Sequence, residues 1–190
     1  MGKYTIIADV SEKISEILAK NLVPNLVTDK NMIGFCSPEE KGDYVVGIHL
    51  YDISRDNEMA QAGMINYGLK EQKYPPTVLS LSYMLTVYSK SDLKFRFIEE
   101  QKILGAIIQS LDNEMLIPAE ELGNVAYEAN GRIEILNLEM EEKLRIWGDP
   151  SKAYKPSIFI KIAPVELESQ QTRQISRVRE FSIELVDSQE

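Results

Sequence analysis

Between the Pro75–Pro76 pair and Ser89 the chain alternates, with Leu79, Leu81, Tyr83, Leu85 and Val87 on one side and Ser80, Ser82 and Thr86 on the other. Successive side chains of a strand point to opposite faces, so residues 77–88 specify a strand. A register slip of one residue would exchange the leucines for serines in the core, which fixes the pairing firmly. A strand of this kind requires pairing partners and a layer of structure to cover its apolar face.

The rest of the sequence supplies both. Val10, Ile14, Ile17 and Leu18 recur at helical spacing, with Glu12, Lys13, Glu16 and Lys20 on other faces, which predicts an amphipathic helix over residues 4–20. Met32 to Cys36 reads as a short strand, followed by a turn at Pro38 and Gly42. From Tyr44 to Ile53, Val46, Ile48 and Leu50 alternate with Gly47, His49 and Tyr51, the pattern of a half-buried strand. Residues 54–76 are rich in turn formers and read as a long excursion rather than a regular element.

Farther on, Leu93, Phe97, Leu104, Ile108 and Leu111 form a helical stripe with Gln101 in line and Ser91 as its cap, predicted to lie against the sheet. Arg132–Leu136 gives a short strand with Ile133 and Ile135 on one side. The next helix is capped by Asn137, carries Glu139, Glu141 and Glu142 at its positive end, and places Met140, Leu144 and Trp147 on one face; Gly148 and Pro150 stop it. Ser157–Val165 is a further strand. Beyond a polar stretch, Phe181, Ile183 and Leu185 alternate once more.

With 190 residues, 44% of them hydrophobic, the chain is expected to form one compact core. Its formal net charge of −9 repels phosphate backbones and anionic lipid heads, which argues against nucleic acid as a partner. No stretch approaches the ~20 apolar residues of a membrane-spanning helix, and Met1 to Val10 lacks the pattern of a secretion signal. The single cysteine, Cys36, precludes an internal disulfide and fits a reducing compartment, so cytoplasmic synthesis is expected.

Common catalytic constellations are missing from the sequence. It has no glycine-rich phosphate loop, no paired histidines and no serine in a nucleophile elbow. His49, the one histidine, sits in an apolar strand without evident orienting partners. Cys36 is a nucleophile only if His49 serves it, and a strand cysteine more often acts as a small hydrophobe. The pairs Glu99–Glu100, Glu120–Glu121 and Glu141–Glu142 point apart on their helices and read as solvated faces. We therefore assign no catalytic, cofactor-binding or metal-binding residue and expect no enzyme. Arg173, Arg177 and Arg179 form a basic cluster in an acidic chain, read either as charges guarding an edge strand or as an arm that binds a neighbouring subunit.

Several segments, taken in order, carry a resemblance. The helix opening Ile7-Ala8-Asp9-Val10-Ser11, the strand end Leu50-Tyr51-Asp52-Ile53, Leu79 to Thr86 after the Pro-Pro pair, and the helix Glu100 to Leu111 resemble the cap, or tail-terminator, proteins of extracellular contractile injection systems. Leu138 to Trp147 and the strand after Pro156 are similar to the same family's later half, so the likeness covers residues 4–165. Here Gly148-Asp149-Pro150 follows the tryptophan helix at once, where the family often has a longer bridge, and the extra C-terminal domain of some members is not expected. The resemblance implies an α/β (α+β) fold with a central mixed or largely antiparallel sheet flanked by helices. It implies a core over 1–165 and a C-terminal arm over 166–190 with a possible final strand. It also implies a homo-oligomeric ring, expected to be hexameric, on the end of an inner tube and contractile sheath. Assembly would be cytoplasmic, in a phage-tail-like particle open to later release, and the same context favours the arm for Arg173, Arg177 and Arg179. The alternatives are a baseplate or tube-initiating component of the same machine, a small-molecule hydrolase, and a carbohydrate-binding module.

Overall fold

The structure, a computed structural model, describes residues 4–40, 42–56, 63–67, 71–124, 126–148 and 151–174. In chain order its elements are α1 (Ile6–Leu22), β1 (Ile33–Phe35), β2 (Val46–Arg55), β3 (Ile65–Tyr67), β4 (Glu71–Lys73), β5 (Thr77–Val87), α2 (Leu93–Asn113), β6 (Leu116–Ile117), α3 (Ala119–Leu122), β7 (Gly131–Leu136), α4 (Met140–Trp147), β8 (Ser157–Leu167) and β9 (Thr172–Gln174). Six strands make one mixed sheet in the order β1–β2–β5–β8–β7–β6. Only the β1–β2 pair is parallel; the other four pairs are antiparallel. The α+β class expected from the sequence is what the chain adopts.

The alternating strand takes the central place. β5 pairs with β2 on one side, Ile48 opposite Leu85, and with β8 on the other, Tyr83 opposite Ile160. Leu79, Leu81, Tyr83, Leu85 and Val87 face α1 and α2 and join one core with Val10, Ile14, Leu18, Ile103 and Ile107. Each such side chain withdrawn from water contributes about 1.5–3 kcal/mol. Ser80, Ser82 and Thr86 do mark the opposite face, but they are buried too. A second cluster covers that side, made of Met84, Tyr88, Trp147 and Phe159 with Cys36, Tyr51 and Tyr154 around them. The Tyr51–Phe159 and Trp147–Tyr154 ring pairs meet edge to face at 6.0 and 5.7 Å.

Polar ties hold the layers in register. Ser11 of α1 shares a hydrogen bond of 3.0 Å with the Tyr83 hydroxyl, and burial pushes that phenol up to about 12. Lys13 and Lys20 of α1 pair with Glu121 and Glu114. Gly47 of β2 is a packing requirement, since a Cβ there would stand 2.6 Å from the Cys36 sulfur and 3.1 Å from the Tyr88 ring.

Several expectations need correction. The segment 54–76 is not all excursion: β2 extends to Arg55, and β3 and β4 pair with each other and with β9 in a separate three-stranded sheet. Short polar strands such as Glu71-Gln72-Lys73 carry almost no hydrophobic period, so only their distant partner reveals them. On α2 the residues turned inward are Glu100, Ile103, Ile107, Ser110 and Leu111, while Leu93, Phe97 and Ile108 of the expected stripe are exposed. The two apolar arcs adjoin on the helix, and periodicity alone does not say which one meets the sheet. Its cap position is Asp92, not Ser91. On α4 only Trp147 is buried, Met140 and Leu144 being exposed, and the helix begins with a capping box between Glu139 and Glu142 instead of at Asn137. Ile133 is buried as expected, but Ile135 is exposed nearer the other end of β7. The predicted run Phe181, Ile183 and Leu185 lies outside the described residues.

Candidate assembly surfaces

Each side chain considered for chemistry has a structural setting. Cys36 is half-buried under Gly47 and Tyr88, and burial pushes its thiol up, away from the reactive thiolate. Burial lowers His49 below its ordinary value, which keeps the imidazole neutral beside Met84. Glu100 is not on a solvated face as expected: it is buried, pairs with Lys155 and accepts the Ser89 N–H at 3.2 Å. Its neighbour Glu99 is held below the usual carboxylate range by hydrogen bonds from Ser89 and then Ser91. Glu121 pairs with Lys13, Glu141 with Arg145, and Glu142 caps α4. Among the described residues no three His, Cys, Asp or Glu side chains stand together as a metal would require. No described helix is long and apolar enough to cross a membrane.

The surfaces are more distinctive than the interior. Arg173 lies on β9, exposed, opposite Gln72 of β4; Arg177 and Arg179 lie outside the described residues. The β3–β4–β9 sheet is anchored where β5 begins, since Lys73 leads into Thr77 and Thr77 pairs with Leu167 at the end of β8. α2 departs from the other end of β5, which an eleven-residue strand puts about 35 Å away. There Leu93, Phe95, Phe97 and Ile98 are 72, 59, 65 and 56% exposed, more apolar surface than any other stretch of the described chain gathers. Phe95 and Ile98 were not singled out by the helical stripe, because they sit on the helix's outer side and far flank.

A second notable surface is the groove between α1 and the sheet's edge. It has a volume of about 630 Å³ and is lined by Glu12 and Glu16 of α1, Lys30, and Ile33, Phe35 and Tyr44 around β1. Nothing in the sequence pattern marks it, since it arises only when α1 crosses the short parallel strand.

With this geometry fixed, comparison with known proteins becomes specific. The model of the Pvc16 N-terminal domain family matches residues 9–180. The chain belongs to that family. No curated protein matches the sequence. Among solved structures, the chain is similar to the sheath/tube terminator of the extracellular contractile injection system PVC in its extended state. The TM-score is 0.62 at 15% identity, over 97% of this chain and 65% of that one. It is also similar to the tube-terminating cap of the anti-feeding prophage, with a TM-score of 0.65 at 16% identity, over 94% of this chain and 61% of that one. The chain thus spans under two thirds of the length of either, and at such identities the likeness is one of fold.

Proposed function

We propose that this chain is a terminator subunit of a contractile injection system, a structural protein that closes the end of the inner tube and sheath and performs no chemistry. The observation that carries the reading is the family match over residues 9–180, joined to a fold shared with two solved terminators. The setting of Cys36 supports the non-enzymatic part, because burial disfavours its reactive thiolate. The reading assigns it a ring of identical subunits, hexameric, with tube and sheath proteins as partners, assembled in the cytoplasm. Within it, Glu166 onward acts as an arm whose first residues complete β8, and Arg173, Arg177 and Arg179 bind a neighbouring subunit.

Electron microscopy of particles from cells lacking this gene tests the proposal. Sheaths of irregular or excess length with an open end are expected. Particles of normal length with a normal closed end would overturn it and bring the baseplate reading forward.

A further inference from the structure

Within α4 only the last turn is held by the core. Met140, Leu144 and Trp147 lie on one helical stripe, yet Met140 is 54% and Leu144 48% exposed where Trp147 is 4%. Trp147 sits among Met84, Tyr88 and Phe159, with Ile146 and the preceding Leu138 half-buried against the same cluster. That anchor carries a defect. Trp147 Nε1 is buried and has no hydrogen-bond partner among the described residues. A buried indole N–H usually finds one, and leaving the bond unmade offsets part of what burial of the ring contributes.

Little else in the fold depends on α4 staying down. The helix lies in the connection between β7 and β8, whose last pair is Leu136–Phe159, so it can leave without breaking a hydrogen bond between those strands. Its own ties are local: the Glu139–Glu142 capping box, the Glu141–Arg145 ion pair, and the Gly148 N–H donating to the Leu144 carbonyl at 3.3 Å. Gly148 has a φ of +81°, a conformation glycine adopts without steric cost. Beyond it the connection is fastened separately, by Lys155 on Glu100 and by Lys152 donating to the Glu39 carbonyl at 3.2 Å. The glycine thus separates a part that is tied from a helix that hangs on one large side chain.

We infer that α4 is a lid with two positions. In the lifted position Trp147 leaves the cluster, water meets its N–H, and the side of the sheet carrying Met84, Tyr88 and Phe159 opens while the six strands stay paired. An apolar surface then becomes available without loss of the fold. The inference goes beyond the terminator reading and does not depend on it.

The chain's single tryptophan makes a direct test. In the parent protein, exchange of the Trp147 indole N–H with deuterium is followed by NMR at up to about 2 M urea, beside the backbone N–H of Leu81. Relative to the unfolded rates, the indole is expected to exchange at least about 100-fold faster and with a weaker urea dependence, because lifting exposes far less surface than unfolding. Protection equal to that of Leu81, with the same urea dependence, overturns the inference. A bulky thiol reagent, which cannot seep between packed rings, gives a second reading. Cys36→Ala/Met84→Cys places a thiol in the Trp147 cluster, and Cys36→Ala/Leu81→Cys places one on the opposite face of β5. Each labelling rate is taken relative to that variant's own unfolding equilibrium. The first is expected to be labelled at least about 100-fold faster, and equal rates would also overturn the inference. Circular dichroism verifies folding, and where a variant does not fold, the indole measurement on the parent decides.

Discussion

Glu166 is a buried carboxylate at the end of β8 whose replacement has a calculable cost. It accepts hydrogen bonds from the backbone N–H of Ala126 at 2.8 Å and of Tyr127 at 2.9 Å. Its own N–H donates to the side-chain oxygen of Asn124 at 2.8 Å, and the Asn124 amide donates to the carbonyls of Ala129 and Pro164. Asn124, Ala126, Tyr127 and Ala129 are thereby tied to the sheet by one carboxylate and one amide. A hydrogen bond to a charged acceptor contributes about 1.5–3 kcal/mol, so two give about 6 kcal/mol at most. Ala126 is exposed, and water replaces its lost acceptor, which leaves about 3 kcal/mol for Glu166→Ala. With an m-value of about 2 kcal/mol/M in urea, the midpoint should fall by about 1.5 M. Glu166→Gln retains one acceptor oxygen but turns an amide donor toward the other N–H, and should lose about half as much. A midpoint for Glu166→Ala within about 0.3 M of the parent would refute the reasoning, since the carboxylate would then be replaceable by water at both donors.

Two further predictions follow from the core. Burial raises both Tyr83 and Tyr88 to about 12, from an ordinary value near 10. A group whose folded value is raised stabilises fully below its unfolded value and loses that contribution as pH climbs, so stability should hold to about pH 10 and fall between about 10 and 12, by about 2–3 kcal/mol per tyrosine. In Tyr83→Phe the urea midpoint should start lower, for want of the Ser11 hydrogen bond, yet drop less between pH 9 and pH 11; an equal drop in both proteins would place the titration elsewhere. At Gly47, alanine sets a methyl against the Cys36 sulfur and should cost about 1–3 kcal/mol in urea denaturation. Shortening the neighbour in Gly47→Ala/Cys36→Ala should recover part of the loss, and a double variant no better than the single would show that the Tyr88 ring is the obstacle.

How much of this was legible in the sequence differs from element to element. α1, β2, β5 and β8 were plain, because each buries its apolar side chains on the period of its own backbone. β5 was read with a single apolar face because its second face is marked by serine and threonine, and small hydroxyls pack there beside Met84 and Phe159 with their polar atoms served nearby, as Thr86 is by Ser157 at 2.8 Å. The parallel pairing of β1 was invisible, since a parallel neighbour leaves no mark in three residues. α2 was placed correctly and rotated wrongly: Ile103 and Ile107 compete with Phe97 and Ile108 for the sheet, and Glu100 tips the balance only because Lys155, 55 residues away, meets it. The exposure of Phe97 and Ile108 was thus hidden within a correct helix, and the α1–β1 groove depends on a crossing no local pattern records.

The sheet's own edges bear on how such a chain can assemble. β1 offers three residues and β6 two, and among the described strands each has a neighbour on one side only. Edges this short give an incoming strand too few backbone groups to pair with, so open-ended growth by strand addition is disfavoured. Contacts between copies are then left to side chains, where shape and charge choose one partner orientation. For a subunit proposed to end a polymer, this is useful. Lateral joining through the proposed arm, whose Arg173 lies on β9 in the separate β3–β4–β9 sheet, can be specific without a long open edge on the main sheet. Charge reversal at Arg173, Arg177 and Arg179 should for that reason weaken the binding between copies in a salt-sensitive way, and binding unchanged across salt would count against an electrostatic arm.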